Sequence, residues 1–122
     1  MSKKTNQRVL IVDDEKSIQE LFGKALIKHG HNAEVAENGR LGFRMATTFD
    51  YDTIIFDLHM PEWNGVDAIK GILLIKPKCR FIVVSAYADR KIADSLRAIP
   101  EVLALLSKPA DIFEILSYVE SN

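Results

Sequence analysis

Short, nearly continuous apolar runs recur along this chain, and each is followed by a stretch with helical periodicity. Val9-Leu10-Ile11-Val12, Thr53-Ile54-Ile55-Phe56 and Phe81-Ile82-Val83-Val84 show no polar alternation, so as strands they must be buried on both faces. A sheet covered by helices on either side meets that demand. Ala33 to Ala36 and Val102 to Leu106 read as two further strands, the first of them weak enough to sit at an edge. Helices are expected at about Lys16 to His29, Arg40 to Thr48, Gly65 to Ile75, Asp89 to Ile99 and Asp111 to Val119. Ile18, Leu21, Phe22, Ala25 and Leu26 mark an apolar face on the first helix, Gly30 stops it, and Pro77 ends the third. The result is an α/β chain, a (βα)5 doubly wound, five-stranded parallel sheet. The flavodoxin-like strand order 2-1-3-4-5 is assumed from this pattern.

Polar residues close the runs. Asp13-Asp14-Glu15 follows the first, where acids can cap and complement the next helix. Asp57 closes the third, before Leu58-His59-Met60-Pro61; Ser85-Ala86 closes the fourth and Ser107-Lys108-Pro109 the fifth. In open α/β sheets ligands bind at the carboxyl ends of the strands, where the order reverses. The assumed topology therefore delivers Asp13, Asp14, Asp57, Ser85 and Lys108 to one shallow site. Alone, each has a plain reading, as helix-start acid, strand-end hydroxyl or solvated charge; their convergence carries the weight. Carboxylates so close repel and would raise one another's pKa. A divalent cation removes the conflict, and an all-oxygen ligand set with no His or Cys cluster favours Mg²⁺, or Mn²⁺ in its place, over zinc. A lone lysine beside such a site suggests phosphoryl chemistry. Asp57 would be the nucleophile, Asp14 with Asp13 the metal holders, Lys108 a point charge for a phosphoryl oxygen, and Ser85 a donor to another.

Val9 to Glu15, Asp57 to Pro61 with Gly65, Ser85-Ala86, and Lys108-Pro109 resemble, in order and at matching strand ends, the receiver domain of bacterial two-component response regulators of the chemotaxis-regulator type. The resemblance spans about Arg8 to Val119. It implies that Asp57 takes a phosphoryl group from a phosphohistidine on a sensor histidine kinase or histidine phosphotransfer protein. It implies Mg²⁺ held by Asp14, Asp57 and the backbone carbonyl of His59, with Asp13 assisting. Ser85, Ala86 and Lys108 would bind the phosphoryl group, Ser85 by turning toward it, and Lys108–Pro109 is expected to be cis. His59 and Tyr87 occupy positions that tune phosphate lifetime in the family; both are bulky enough to hinder water, so a long-lived phosphoprotein is expected. One departure stands out: Leu105 replaces the usual aromatic partner of Ser85 in the switch, which favours a phosphorelay role over an output switch.

The remaining features exclude more than they add. Sixteen basic against 17 acidic residues give a net charge of −1, which argues against nucleic acid or a membrane surface as direct partner. The basic N-terminus, Met1 to Arg8, precedes an apolar run too short for a signal peptide, and no run approaches a membrane span, so a cytoplasmic protein is expected. The single Cys79 reads as a half-buried residue beside a strand. His29 and His31 read as solvent-facing, and Trp63 as loop packing near Asp57. Arg40, Arg44, Lys70, Lys76, Lys78 and Lys91 read as solvated faces. Residues 1–122 read as a single receiver domain without an output domain. It would act on a downstream protein target, as a monomer or a weak homodimer through helix 4, strand 5 and helix 5. It would be a signalling phosphoacceptor with slow self-dephosphorylation, not a conventional enzyme. Two rivals stand beside it: a phosphorylation-independent interaction domain, and a metal-dependent phosphatase. The latter would want an acid at the position of His59.

Overall fold

The computed structural model describes residues 5–60 and 64–121; Met1 to Lys4, Pro61 and Trp63 lie outside the described residues. Five parallel strands, β1 (Arg8–Val12), β2 (Asn32–Ala36), β3 (Thr53–Asp57), β4 (Arg80–Ser85) and β5 (Val102–Ser107), form one sheet in the order β2-β1-β3-β4-β5. They alternate with α1 (Lys16–Lys28), α2 (Gly39–Thr48), α3 (Gly65–Ile75), α4 (Arg90–Arg97) and α5 (Ile112–Ser121). The expected α/β architecture and strand order hold, with element ends within a few residues of those read from the sequence.

Successive strand residues point to opposite faces, and each face has its own core. Leu10, Val12, Ile54, Phe56, Phe81 and Val83 pack with Ala46 of α2, Ile69 and Ile72 of α3, and Leu96 of α4. Val9, Ile11, Ile55, Ile82 and Val84 pack with Phe22 and Leu26 of α1 and with Ile115, Leu116 and Val119 of α5. Burying both faces is what makes the central runs continuously apolar. The fit is close at the end of β1. A Cβ on Gly42 of α2 would lie 2.7 Å from Val12 Cγ1, so a larger residue there must displace the Val12 side chain next to Asp13.

Local capping sets the helix ends. Asn38, Asn64 and Asp89 accept hydrogen bonds from the main-chain N–H groups of Leu41, Asp67 and Ile92. At the end of α1, Gly30 takes φ +87°, the N–H of Gly30 donates to Ile27 O, and that of His31 donates to Leu26 O. This is the reversal that glycine permits, and it turns His31 inward. His31 is thus buried, contrary to the solvent-facing reading. Its Nδ1 accepts from the Gln7 N–H at 3.2 Å and its Nε2 lies 3.0 Å from Glu120 Oε2 of α5. His29 is exposed as expected.

Three smaller expectations also change. Leu21, assigned to the apolar face of α1, is 53% exposed on its shoulder. Lys76 is not a free surface charge: its Nζ meets Asp50 Oδ1 at 2.5 Å. Cys79 is fully rather than half buried, and burial pushes its thiol pKa up to about 12, which keeps it protonated and unreactive. Arg40, Arg44, Lys70, Lys78 and Lys91 are exposed, as expected.

Candidate phosphorylation site

The carboxyl edge of the sheet collects the predicted residues because three strands run on past their apolar cores. The Asp13 N–H donates to Ala36 O of β2, extending β1 by one residue. The Leu58 N–H donates to Val84 O, and the Lys108 N–H to Ser85 O at 2.8 Å. These main-chain bonds bring Asp57, Ser85 and Lys108 to adjacent strand ends, with Asp57 beside Val84 and Ser85 beside Ser107.

Asp13, Asp14 and Asp57 each offer a carboxylate oxygen, all within 4.8 Å of one another. Asp13 and Asp57 are buried and Asp14 is exposed, so two acids line the floor and one forms the rim. The floor is held by main chain: Asp13 Oδ1 accepts from the Glu15 N–H at 2.8 Å, and Asp57 Oδ1 accepts from the His59 N–H at 3.0 Å. The Gln19 side chain donates to Asp13 O at 2.7 Å and ties the loop to α1.

Lys108 Nζ stands 3.2 Å from Asp13 Oδ2, 3.2 Å from Asp57 Oδ2 and 3.2 Å from Glu15 Oε1. Burial alone would lower the lysine pKa, but the carboxylates of Asp57, Asp13 and Glu15 outweigh it and hold the ammonium well above its ordinary range. The Asp13 carboxyl is pushed the opposite way from a paired acid. Burial raises its pKa and the Asp57 charge adds to that, against the Glu15 N–H and Lys108. One ammonium does not neutralise this edge. An all-oxygen donor set with surplus negative charge fits a hard divalent cation.

Glu15 is the site residue that sequence reasoning missed. Read as a helix-start acid, it occupies the N-cap position of α1 but makes no side-chain capping bond, reaching instead to a lysine 93 residues away. The adjacent Asp13-Asp14 pair gave the only sequence signal for it.

The loops after β3 and β4 meet above the site. The Ser85 hydroxyl donates to Tyr87 O at 2.6 Å and accepts from the Tyr87 N–H at 3.1 Å. Its single proton is thus committed within its own loop and not aimed at Asp57. His59 Nε2 accepts from the Tyr87 N–H at 3.3 Å and also contacts Tyr87 O. Tyr87 is 71% exposed, and its peptide group is what contacts His59. Ala86 is exposed beside them. Lys108–Pro109 is cis, as expected. Leu105, the residue in place of the usual aromatic, is partly buried and packs with the same core cluster as Ala88 and Ile92.

Residues 9–120 match the response regulator receiver domain family. The chain is 30% identical over 117 residues to sporulation initiation phosphotransferase F of Bacillus subtilis, covering 94% of this chain and 92% of that protein. It is 33% identical over 113 residues to the DNA-binding transcriptional regulator NtrC of Azospirillum brasilense, covering 92% of this chain but only 23% of the regulator's length. Among solved structures, a CheY-like response regulator receiver domain protein from Methanospirillum hungatei superposes with a TM-score of 0.86 at 22% identity, covering 94% of this chain and 91% of the other. The strand order, the acid cluster at the carboxyl edge and this family match agree: the chain is a response regulator receiver domain, a two-component signalling domain.

Proposed function

We propose that Asp57 is the phosphoacceptor, taking a phosphoryl group from a phosphohistidine on a histidine kinase or histidine phosphotransfer protein. The observation that carries this reading is the placement of Asp57. It is buried, held by the His59 N–H, in reach of Lys108, and grouped with two further acids. In the transfer an Asp57 carboxylate oxygen forms the new bond to phosphorus as the bond from phosphorus to the histidine nitrogen breaks. Asp13, Asp14, Asp57 and the His59 carbonyl would hold Mg²⁺, or Mn²⁺ in its place, which supplies positive charge to the phosphoryl oxygens. Lys108 is placed to neutralise one of those oxygens. Ser85 would serve another once its hydroxyl leaves Tyr87 O, and Ala86 would lie alongside. Most of what a protein contributes to this reaction is charge and position.

A relay role fits best. Leu105 offers no ring to swing when Ser85 moves, and a relative that matches over nearly its whole length is by name a phosphotransferase. Its partners would then be a phosphohistidine donor and a downstream protein acceptor. His59, lying against the Tyr87 peptide, would hinder water from reaching the acyl phosphate. A lifetime longer than that of a His59→Asn, Tyr87→Ala variant is expected; a shorter one would overturn this last point.

The test is intact-protein mass spectrometry after incubation with acetyl phosphate and Mg²⁺, beside Asp57→Asn. One added phosphoryl group, absent in the variant and absent without Mg²⁺, is expected. No adduct in the wild type under conditions that preserve acyl phosphates would overturn the phosphoacceptor assignment.

A further inference from the structure

An ammonium group has three protons, and Lys108 places three carboxylates around them at equal distance, those of Asp13, Glu15 and Asp57. A phosphoryl oxygen that shares this lysine must therefore displace one of the three. They are not equally held. The side chains of Asp13 and Asp57 are 4% and 3% exposed, sit at strand ends, and accept main-chain N–H bonds. The Glu15 side chain is 57% exposed, and its carboxylate has no hydrogen-bond partner except Lys108 among the described residues. Its tie to the lysine is the most screened of the three and the easiest to give up.

We propose that Glu15 is the resting-state anchor of Lys108, and that phosphorylation of Asp57 displaces it. The inference rests on the phosphoacceptor reading and adds a consequence to it. A phosphoryl group brings roughly one more negative charge to the edge, which repels the most exposed carboxylate outward as Lys108 turns to the new oxygens. The displaced Glu15 then stands free at the start of α1. Phosphorylation thus changes the charge presented there through a path that needs no aromatic ring at position 105. Glu15 is a positioning residue: it acts through Lys108 and does not touch the phosphoryl group.

Beryllofluoride, which mimics a phosphoryl group on a carboxylate, is titrated into the protein at saturating Mg²⁺ and followed by amide NMR. Glu15→Gln is expected to bind it roughly two- to fivefold tighter than the wild type, because the competitor for Lys108 is gone. Glu20→Gln removes an exposed acid of the same helix that is not a partner of Lys108, and is expected to match the wild type. If the wild type binds beryllofluoride and Glu15→Gln binds it no more tightly, the handover is wrong while the phosphoacceptor reading stands. An equal gain in Glu20→Gln would overturn the handover in the same way. If neither wild type nor variants bind it, the phosphoacceptor reading itself fails.

Discussion

The two edges of the sheet are built from the same residue types and treat charge in opposite ways. At the amino edge each acid has its own partner. Arg8 pairs with Glu34 at 3.0 Å and lies over the rings of Phe49 and Tyr51, and its N–H donates to Asp52. His31 meets Glu120, and Lys76 meets Asp50. At the carboxyl edge Asp13, Asp14, Glu15 and Asp57 stand around Lys108. Four carboxylates to one ammonium leave a formal surplus of three negative charges, with two of the acids buried. The first arrangement holds strands and helices together. The second opposes folding, and under the proposed function a cation and a phosphoryl group would offset that cost.

On that contrast, disrupting the buried part of the amino edge should damage stability and spare chemistry, whereas its exposed pairs should matter little. The largest effect is expected for His31→Ala. It removes a buried ring that bridges the start of β1 to α5, and should cost about 2–4 kcal/mol by denaturant unfolding. Acetyl phosphate labelling of the folded fraction should be unchanged; a loss of labelling would break the separation between the edges. Mg²⁺ is expected to act on the other edge. At ten times its Kd it should stabilise the wild type by about 1.4 kcal/mol, and Asp57→Asn should lose most of that gain in a thermal melt.

Next in size is Asp13→Asn, expected to raise stability by about 1 kcal/mol without Mg²⁺ while slowing phosphorylation. The sign follows from the raised carboxyl pKa of Asp13. A proton binds the folded protein more tightly than the unfolded chain, so the penalty is fully present above the folded pKa. It is relieved as pH falls through that value toward 3.8. The advantage of Asp13→Asn should therefore shrink on acidification; an advantage that grew would refute the cause. Smallest of all is Asp50→Ala. Its carboxylate is fully exposed, and the melting midpoint should not move measurably.

Much of the molecule was legible in the sequence, and most of what was not shares one physical reason. The central strands announce themselves because burial on both faces demands unbroken apolar runs. Asp57, Ser85 and Lys108 follow from strand ends once the order is assumed. The errors involve partners far along the chain. His31 looked solvent-facing because nothing near it in sequence reveals Glu120, 89 residues away, and Glu15 looked like a helix-start acid because its lysine lies 93 residues on. Leu21 failed differently: periodicity gives the centre of an apolar face well and its shoulder poorly.

The ladder extensions at the carboxyl edge have a consequence for how such a site can vary. Leu58 N–H to Val84 O and Lys108 N–H to Ser85 O are peptide-to-peptide bonds. The spacing between Asp57, Ser85 and Lys108 is therefore set by the main chain, which most side-chain substitutions leave alone. Side chains beneath can be exchanged wholesale, provided the strands still pair, and the three functional groups stay in step. That makes the site portable: a designer who keeps the register of four neighbouring strands, β1, β3, β4 and β5, needs to place only a handful of side chains to rebuild it. It also names the most damaging kind of change, an inserted or deleted residue in β3, β4 or β5, which would shift one group out of step while leaving every functional residue in the chain.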